Sequence, residues 1–212
     1  MRKAIWAIPA LIYVAFVFWY TDFGGPLGDD EIAHYLAKFE GEDVTDEFLA
    51  RLRLFMEGDS GRQFQMVNVI DFDEDPPDVE GAAPGESAKQ LMGRYMEHMY
   101  RELFKRGCHP TIAGSAVYRA VDLVGVDALD RPEEWDMAAF MRYRSRRTFM
   151  EIVTIPETRG RHEFKVAAIE KTIAYPVETD LNLGEPRLLL GLGLFSVASL
   201  LDLLVVGRSR SD

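Results

Sequence analysis

Four polar side chains interrupt the apolar runs of the sequence and are the first candidates for chemistry: Asn68, Arg119, Arg142 and Glu170. A polar group inside an apolar run becomes buried when the run folds into a strand, and a buried polar group needs a partner or a function. We therefore take these four as candidate catalytic residues that point inward from strands. A shift of one residue along a strand would move each side chain to the other face.

The chain has four histidines: His34, His98, His109 and His162. None is spaced as HxxxH or HxH, and the single cysteine, Cys108, cannot form a CxxC pair, so we predict no metal site. His98 lies at the rim of an apolar helical stripe, which indicates a partly buried histidine bonded to a neighbour. Gly107 and Pro110 flank Cys108 and His109, which favours a loop there. Haem binding through His98 or His109 is a weaker alternative, and we expect no cofactor.

A run of four arginines follows an apolar segment: Arg142, Arg144, Arg146 and Arg147. The run lies where a strand is expected to meet the N-terminus of a helix, and backbone N–H groups and the helix dipole favour anions there. A small carboxylate or a phosphate could bind to these guanidinium groups. The alternative is that they pair with the many acids of the chain, with lipid or with a partner subunit.

Two segments with almost no charge lie near the ends of the sequence. Residues 4–20 contain no charged side chain, and residues 188–206 contain only Asp202. Helices of these lengths are roughly 26 and 28 Å long, close to the bilayer core of about 30 Å, so both are predicted to span a membrane. The first segment ends in Trp19 and Tyr20, bulky aromatics that indicate an uncleaved anchor rather than a signal peptide.

The charges that flank these segments predict their orientation. Basic residues lie before the first segment and after the second, whereas the inner flanks are acidic. The positive-inside rule places both termini in the cytoplasm and residues 21–187 outside it, in the periplasm if the cell is Gram-negative. The predicted organisation is an anchor at 1–20, a connector with a helical pair at 21–63, an α/β domain at 64–178, a linker at 179–187, a second span at 188–207 and a tail at 208–212.

The middle of the chain consists of a strand, a helix and a strand, in that order, twice. Four strands are predicted from apolar runs: 64–72, 113–126, 137–143 and 167–177. One helix follows the first strand, where Ser87 and Gln90 form a capping box, and another follows the third strand from Ser145. A pair of helices, at about 29–41 and 45–58, precedes the first strand. The predicted fold class is α+β.

Four stretches carry a family resemblance: TDEFLARLRLFMEGDSG, GRQFQMVNVIDF, MRYRSRRTFMEIV and HEFKVAAIEKTIAYPV. They resemble the dimeric α/β-barrel superfamily, and within it a group of small, mostly uncharacterised, stress-responsive-type bacterial domains, over residues 29–177. The resemblance implies a ferredoxin-like βαββαβ domain, here preceded by a helical pair and flanked by a transmembrane helix at each end. Members of the superfamily include cofactor-free monooxygenases, isomerases, haem-binding enzymes and proteins of no known activity, so the resemblance implies a fold and no reaction.

A four-stranded sheet covered by two helices leaves one apolar face that needs a partner. Two copies that close sheet against sheet would bury it, and a related barrel domain is the other candidate partner. Because the chain also has two membrane segments and no catalytic motif, we expect an accessory or scaffolding subunit of a membrane assembly, in contact with lipid and with other membrane subunits. The formal net charge of −11 makes nucleic acid an unfavourable partner.

An enzyme is the alternative. It would be a cofactor-independent oxygenase or isomerase that acts on a small apolar compound. This hypothesis predicts a cavity of roughly a few hundred Å³ between sheet and helices. Met and aromatic side chains would line the cavity, and Arg142 or Asn68 would reach into it.

Overall fold

The computed structural model describes residues 2–41, 44–126 and 128–209, and the chain divides into two compact units. The terminal unit contains Met1–Thr21 and Thr179–Asp212, and the sheet unit contains Asp22–Glu178. In chain order the elements are α1 (Arg2–Tyr20), α2 (Asp29–Ala37), α3 (Asp46–Glu57), β1 (Phe64–Phe72), α4 (Ala88–Lys105), β2 (His109–Ser115), β3 (Met137–Tyr143), α5 (Arg146–Val153), α6 (Pro156–Gly160), α7 (His162–Ala167), β4 (Ile169–Val177) and α8 (Pro186–Ser209).

The sheet unit has an α+β fold built on one antiparallel sheet with the strand order β2-β3-β1-β4. β1 pairs with β3 from Phe64 opposite Tyr143 onward, and with β4 from Gln65 opposite Val177 onward. Because side chains alternate between the faces of a strand, this register divides the sheet into two faces. Phe64 and Tyr143 lie on one face, and Gln65 and Val177 lie on the other.

The face that contains Phe64 packs against helices. The rings of Phe64 and Tyr143 stack with their centroids 5.3 Å apart, next to Met141. Helical side chains complete this core: Leu91, Tyr95, Met99 and Leu103 from α4, Ile152 from α5 and Phe164 from α7. The residues from α4 recur at four-residue spacing, so a single stripe of that helix faces the sheet.

α2 and α3 form a second apolar cluster together with α5. Thr45 caps α3, as its side chain accepts a hydrogen bond of 3.2 Å from the backbone N–H of Phe48. Tyr35 of α2 and Met56 of α3 pack in one cluster with Met150 of α5. The helical pair predicted before the first strand is therefore present, and α5 belongs to both clusters.

The terminal unit is a pair of packed helices. Arg2–Tyr20 and Pro186–Val205 are each long and apolar enough to cross a membrane. The rings of Trp6 and Phe195 meet between them with centroids 5.7 Å apart.

Polar contacts at both ends fix the antiparallel direction of this pair. At one end Arg2 forms two hydrogen bonds to the carboxylate of Asp202, of 2.6 and 3.0 Å. At the other end Arg187 donates to the hydroxyl of Thr21 over 3.1 Å. The start of α1 therefore lies beside the last turns of α8.

The second strand lies earlier in the chain than the sequence predicts. It occupies His109–Ser115 rather than residues 113–126, whereas the first and third strands have their predicted bounds. β3 has only seven residues, and Ser115 already pairs with Met137 at its first residue. The apolar alternation after Ser115 therefore has no strand opposite it, and residues 116–126 form an irregular segment.

The helical region after the third strand is also more divided than predicted. α5 begins after Ser145, whose hydroxyl accepts a hydrogen bond of 3.0 Å from the backbone N–H of Thr148. α5 ends at Val153, and a new helix starts at Pro156. Proline has no N–H to continue a helix, which explains the break.

Candidate functional site

The face of the sheet opposite the helices is apolar and partly exposed to solvent. We call it the open face, and it consists of Val67, Val69, Ile112, Phe140, Ile173, Tyr175 and Val177. Ile112 is 61% exposed, Tyr175 is 48% exposed and Ile173 is 39% exposed. Ile112 lies on the edge strand β2, and Ile173 and Tyr175 lie on the opposite edge strand β4, so the exposed side chains flank the buried Val67 of β1. Large apolar side chains exposed on one face of a sheet are typical of an interaction surface.

Arg142 lies at one end of the open face, where its side chain is buried and hydrogen-bonded. Its Nε and Nη2 atoms donate to the side-chain oxygen of Gln63 over 3.0 and 2.6 Å, and Nη1 donates to the carbonyl of Gly107 over 2.5 Å. The side chain is thus held by three bonds within the sheet unit. This geometry gives Arg142 a structural role in joining β3 to the residues before β1 and β2.

An open cleft of about 540 Å³ lies where β1 ends and β3 begins. We call it the charged cleft, and its lining includes Asp71, Arg119, Arg131, Glu134, Trp135 and Asp136. Arg131 Nη1 lies 3.1 Å from Glu134, and its Nη2 lies 3.5 Å from Glu170 and 3.9 Å from Asp71. Such a lining suits a polar or charged ligand better than an apolar one.

The charged cleft brings together only part of the predicted catalytic set. Arg119 lies in the irregular segment after β2 rather than on a strand, and its Nη2 atom pairs with Glu134 at 2.9 Å. Glu170 lies on β4 and reaches the cleft through Arg131. Asn68 faces the helices, where its amide donates to the carbonyls of Met66 and Ala139 over 3.0 and 3.4 Å. A catalytic role for any of these residues stays a prediction.

Asp71 and Arg131 are among the cleft residues that sequence reasoning missed. Asp71 is 8% exposed and lies 3.4 Å from Lys171 Nζ, although its Oδ2 atom forms no hydrogen bond. The signal was present, because Asp71 interrupts an apolar run as Asn68 does. Arg131 had no such signal, since it precedes a proline in a loop and lies outside any apolar run.

The histidine and cysteine candidates have local partners. His98 Nε2 lies 2.9 Å from the hydroxyl of Thr158, which confirms the interpretation of a partly buried, bonded histidine. His109 is the first residue of β2, and its Nδ1 atom lies 2.9 Å from the carbonyl of Pro110. Burial raises the pKa of the Cys108 thiol to about 11, so it is a poor nucleophile. The described residues contain no group of three or more side chains able to hold a metal ion.

The arginine run forms structural ion pairs. Arg147 donates to Glu31 over 2.6 and 3.0 Å, and its Nη1 atom lies 3.5 Å from Asp22. Hydrogen bonding to Arg147 lowers the pKa of Glu31 to about 2. Arg146 lies 3.7 Å from Asp59 and over the ring of Phe55. For Arg146 and Arg147, pairing with acids of the chain is confirmed, and an anion site at this run stays a prediction.

The chain matches no protein-family model and no curated protein. It does resemble solved structures. The crystal structure of RPA0582, a protein of unknown function from Rhodopseudomonas palustris, gives a TM-score of 0.51 at 19% identity, over 66% of this chain and 97% of that chain. The structure of methylated RPA0582 gives a TM-score of 0.52 at 20% identity, over 68% of this chain and 96% of that chain. At these identities the likeness concerns the fold alone.

Proposed function

We propose that this chain is a membrane-anchored accessory or scaffolding subunit, in which the sheet unit associates through its open face with a second copy. The exposed apolar side chains of the open face, Ile112, Ile173 and Tyr175, are the observation that carries the proposal. Removing apolar surface from water contributes about 25 cal/mol per Å², so leaving this face in solvent is unfavourable. A twofold contact buries the same surface on both copies at once.

The strand order supports a ferredoxin-like domain as the unit that pairs. The order β2-β3-β1-β4 is antiparallel throughout, with α4 between the first two strands and α5 to α7 between the last two. This strand order is the one expected for a βαββαβ domain, in which the helices pack on one face of the sheet. We therefore retain the assignment to the dimeric α/β-barrel superfamily as part of the proposal.

The direction of the terminal helices supports the proposed topology. Because α1 and α8 are antiparallel, a membrane that both cross would leave the two chain ends on the same side. Arg2 and Lys3 assign that side to the cytoplasm by the positive-inside rule. Residues 21–187 would then lie outside the cytoplasm, where other membrane subunits and the lipid surface are the available partners.

Labelling in intact cells tests this topology. A membrane-impermeant maleimide should react with Asp46→Cys in the sheet unit and should fail to react with Lys3→Cys. Native Cys108 is fully buried and provides the background level. Labelling of Lys3→Cys in unbroken cells would contradict the orientation.

The mass of the full-length protein in mild detergent tests the pairing. Light scattering should show two copies for the native chain and one copy for the double variant Ile173→Glu/Tyr175→Glu, because a carboxylate buried without a partner is strongly unfavourable. The matched control is Leu54→Glu, which replaces a side chain that is 67% exposed on α3, and it should remain a dimer. A native chain that stays monomeric, with no other protein copurifying, would contradict the proposal.

A further inference from the structure

Four neighbouring apolar side chains stand out from the rest of the sheet unit by their exposure. They lie in residues 116–126, which we call the exposed segment. Val117 is 100% exposed, Val121 is 94% exposed, Val124 is 85% exposed and Tyr118 is 78% exposed. A cluster of apolar residues this exposed is typical of a contact surface whose partner is absent.

The exposed segment is fixed to the sheet at its first half. The backbone N–H of Ala116 donates to the carbonyl of Asp136 over 2.7 Å, and that of Ala120 donates to the carbonyl of Glu133 over 2.8 Å. The Arg119 side chain also pairs with Glu134. The backbone and the charged side chain are thus held inside the sheet unit while the valines point away from it.

The size of the open face indicates that it needs an additional cover. Four strands about 4.8 Å apart and seven residues long at about 3.4 Å each give a face of roughly 450 Å². A standard stable interface buries about 800 Å² on each partner. The footprint of the sheet face is smaller than such an interface, so further apolar surface from elsewhere on the chain would strengthen the dimer.

We propose that the exposed segment of each copy packs against the open face of the other copy, so that two symmetric contacts complete the interface. This inference rests on the proposed pairing of two sheet units and names the element that seals it. Val117, Tyr118 and Val121 supply apolar area of the required kind, in the segment that directly follows the edge strand β2. In a twofold dimer each such contact occurs twice.

The chemistry of the segment favours a second copy over a lipid surface. Segments that bind anionic membranes combine apolar residues with several lysines or arginines. The exposed segment contains one basic residue, Arg119, and one acidic residue, Asp122. Arg119 is already paired with Glu134.

Crosslinking between two tagged full-length chains tests the contact. One co-expressed chain carries Val121→Cys, and the other carries Ile112→Cys or Tyr175→Cys. A short bismaleimide should yield a covalent dimer that contains both tags. Native Cys108 stays in both chains, since its burial and its pKa of about 11 leave it unreactive. The control replaces Val121→Cys with Leu54→Cys on α3, which should give no mixed product.

The outcomes separate this inference from the function on which it rests. If the native chain is a dimer but Val121→Cys joins neither partner position, the segment contact is wrong and the paired sheets stand. If the native chain is a monomer, this inference fails, and if no other protein copurifies with that monomer, the proposed function fails as well. If a polarity-sensitive dye on Val121→Cys reports an apolar environment only in lipid nanodiscs and not in the detergent dimer, lipid covers the segment and the inference is wrong.

The dimer dissociation constant gives a second measurement. The double variant Val117→Ser/Val121→Ser should weaken the dimer by roughly tenfold or more, because two apolar contacts are lost on each copy. Val166→Ser, at a position 60% exposed on α7, is the matched control and should leave the constant unchanged. An equal constant for the double variant and the native chain would overturn the inference.

Discussion

The two faces of the sheet are both apolar, but only one of them is covered within the sheet unit. Phe64 and Val67 lie three residues apart on β1. Phe64 contacts the rings of Phe55 from α3 and Phe149 from α5, with centroids 5.6 and 6.0 Å away. The cross-strand partners of Val67 are Phe140 and Tyr175, on the open face. Val67 on the central strand is 6% exposed, whereas Tyr175 on the edge strand is 48% exposed, so the edges of this face are the part left uncovered. An alternating pattern thus specifies an apolar face and leaves open which surface will cover it.

Replacement of one core ring on the covered face should have the largest effect on folding. Phe64→Ala removes a side chain that is 1% exposed and leaves a cavity, so the free energy of unfolding should fall by about 3–5 kcal/mol. Tyr175→Ala on the open face is the comparison, and it should weaken the dimer more than it destabilises the folded sheet unit. Chemical denaturation of the full-length protein measures the first effect. Equal losses of unfolding free energy in both variants would remove the distinction between the faces.

Arg142 tests a buried polar position at the margin of the open face. Arg142→Leu removes three hydrogen bonds to Gln63 and Gly107, and we expect a loss of about 2–3 kcal/mol in unfolding free energy. Arg142→Lys keeps the charge but lacks the forked geometry, so it should recover only part of that loss. If Arg142→Leu instead stabilised the protein, the apolar open face would extend to this end of the sheet.

The cap of α5 tests how firmly the covering helices are held. Ser145 is fully buried and bonds the backbone N–H of Thr148, so Ser145→Ala should cost about 1 kcal/mol of unfolding free energy. Ser145→Thr retains a hydroxyl cap and should lose less. A melting temperature unchanged by Ser145→Ala would show that packing alone holds α5.

The smallest effect concerns the ion pair between α5 and α2. The pKa of Glu31 is lowered from 4.5 to about 2 by Arg147, so the pair stabilises the folded state above pH 4.5 and this contribution is lost as the pH falls toward 2. The Glu31 side chain is 41% exposed, so we expect about 1 kcal/mol or less. Arg147→Met should flatten the unfolding free energy between pH 5 and 2 relative to the native chain, and an unchanged slope would contradict the assignment.

Local patterns in the sequence were sufficient for most of the elements. The strands at 64–72 and 137–143, the capping box of Ser87 and Gln90, and the start of a helix near residue 45 all depend on neighbours within a few residues, and each was predicted. Two terminal helices of sufficient length and apolarity to cross a membrane were likewise evident from composition. Periodicity and capping are short-range properties, which is why the sequence alone determines them.

Strand pairing and contacts between distant residues decided the features that local sequence patterns could not predict. The valines at 117 and 121 alternate like a strand, but β3 ends its pairing with β2 at Met137 and leaves them exposed. Arg142 and Arg119 both interrupt apolar runs in the sequence. In the structure Arg142 is buried and bonded to Gln63, whereas Arg119 pairs with Glu134 in an open cleft. Such outcomes depend on which distant residue lies opposite, and only the folded chain brings those residues together.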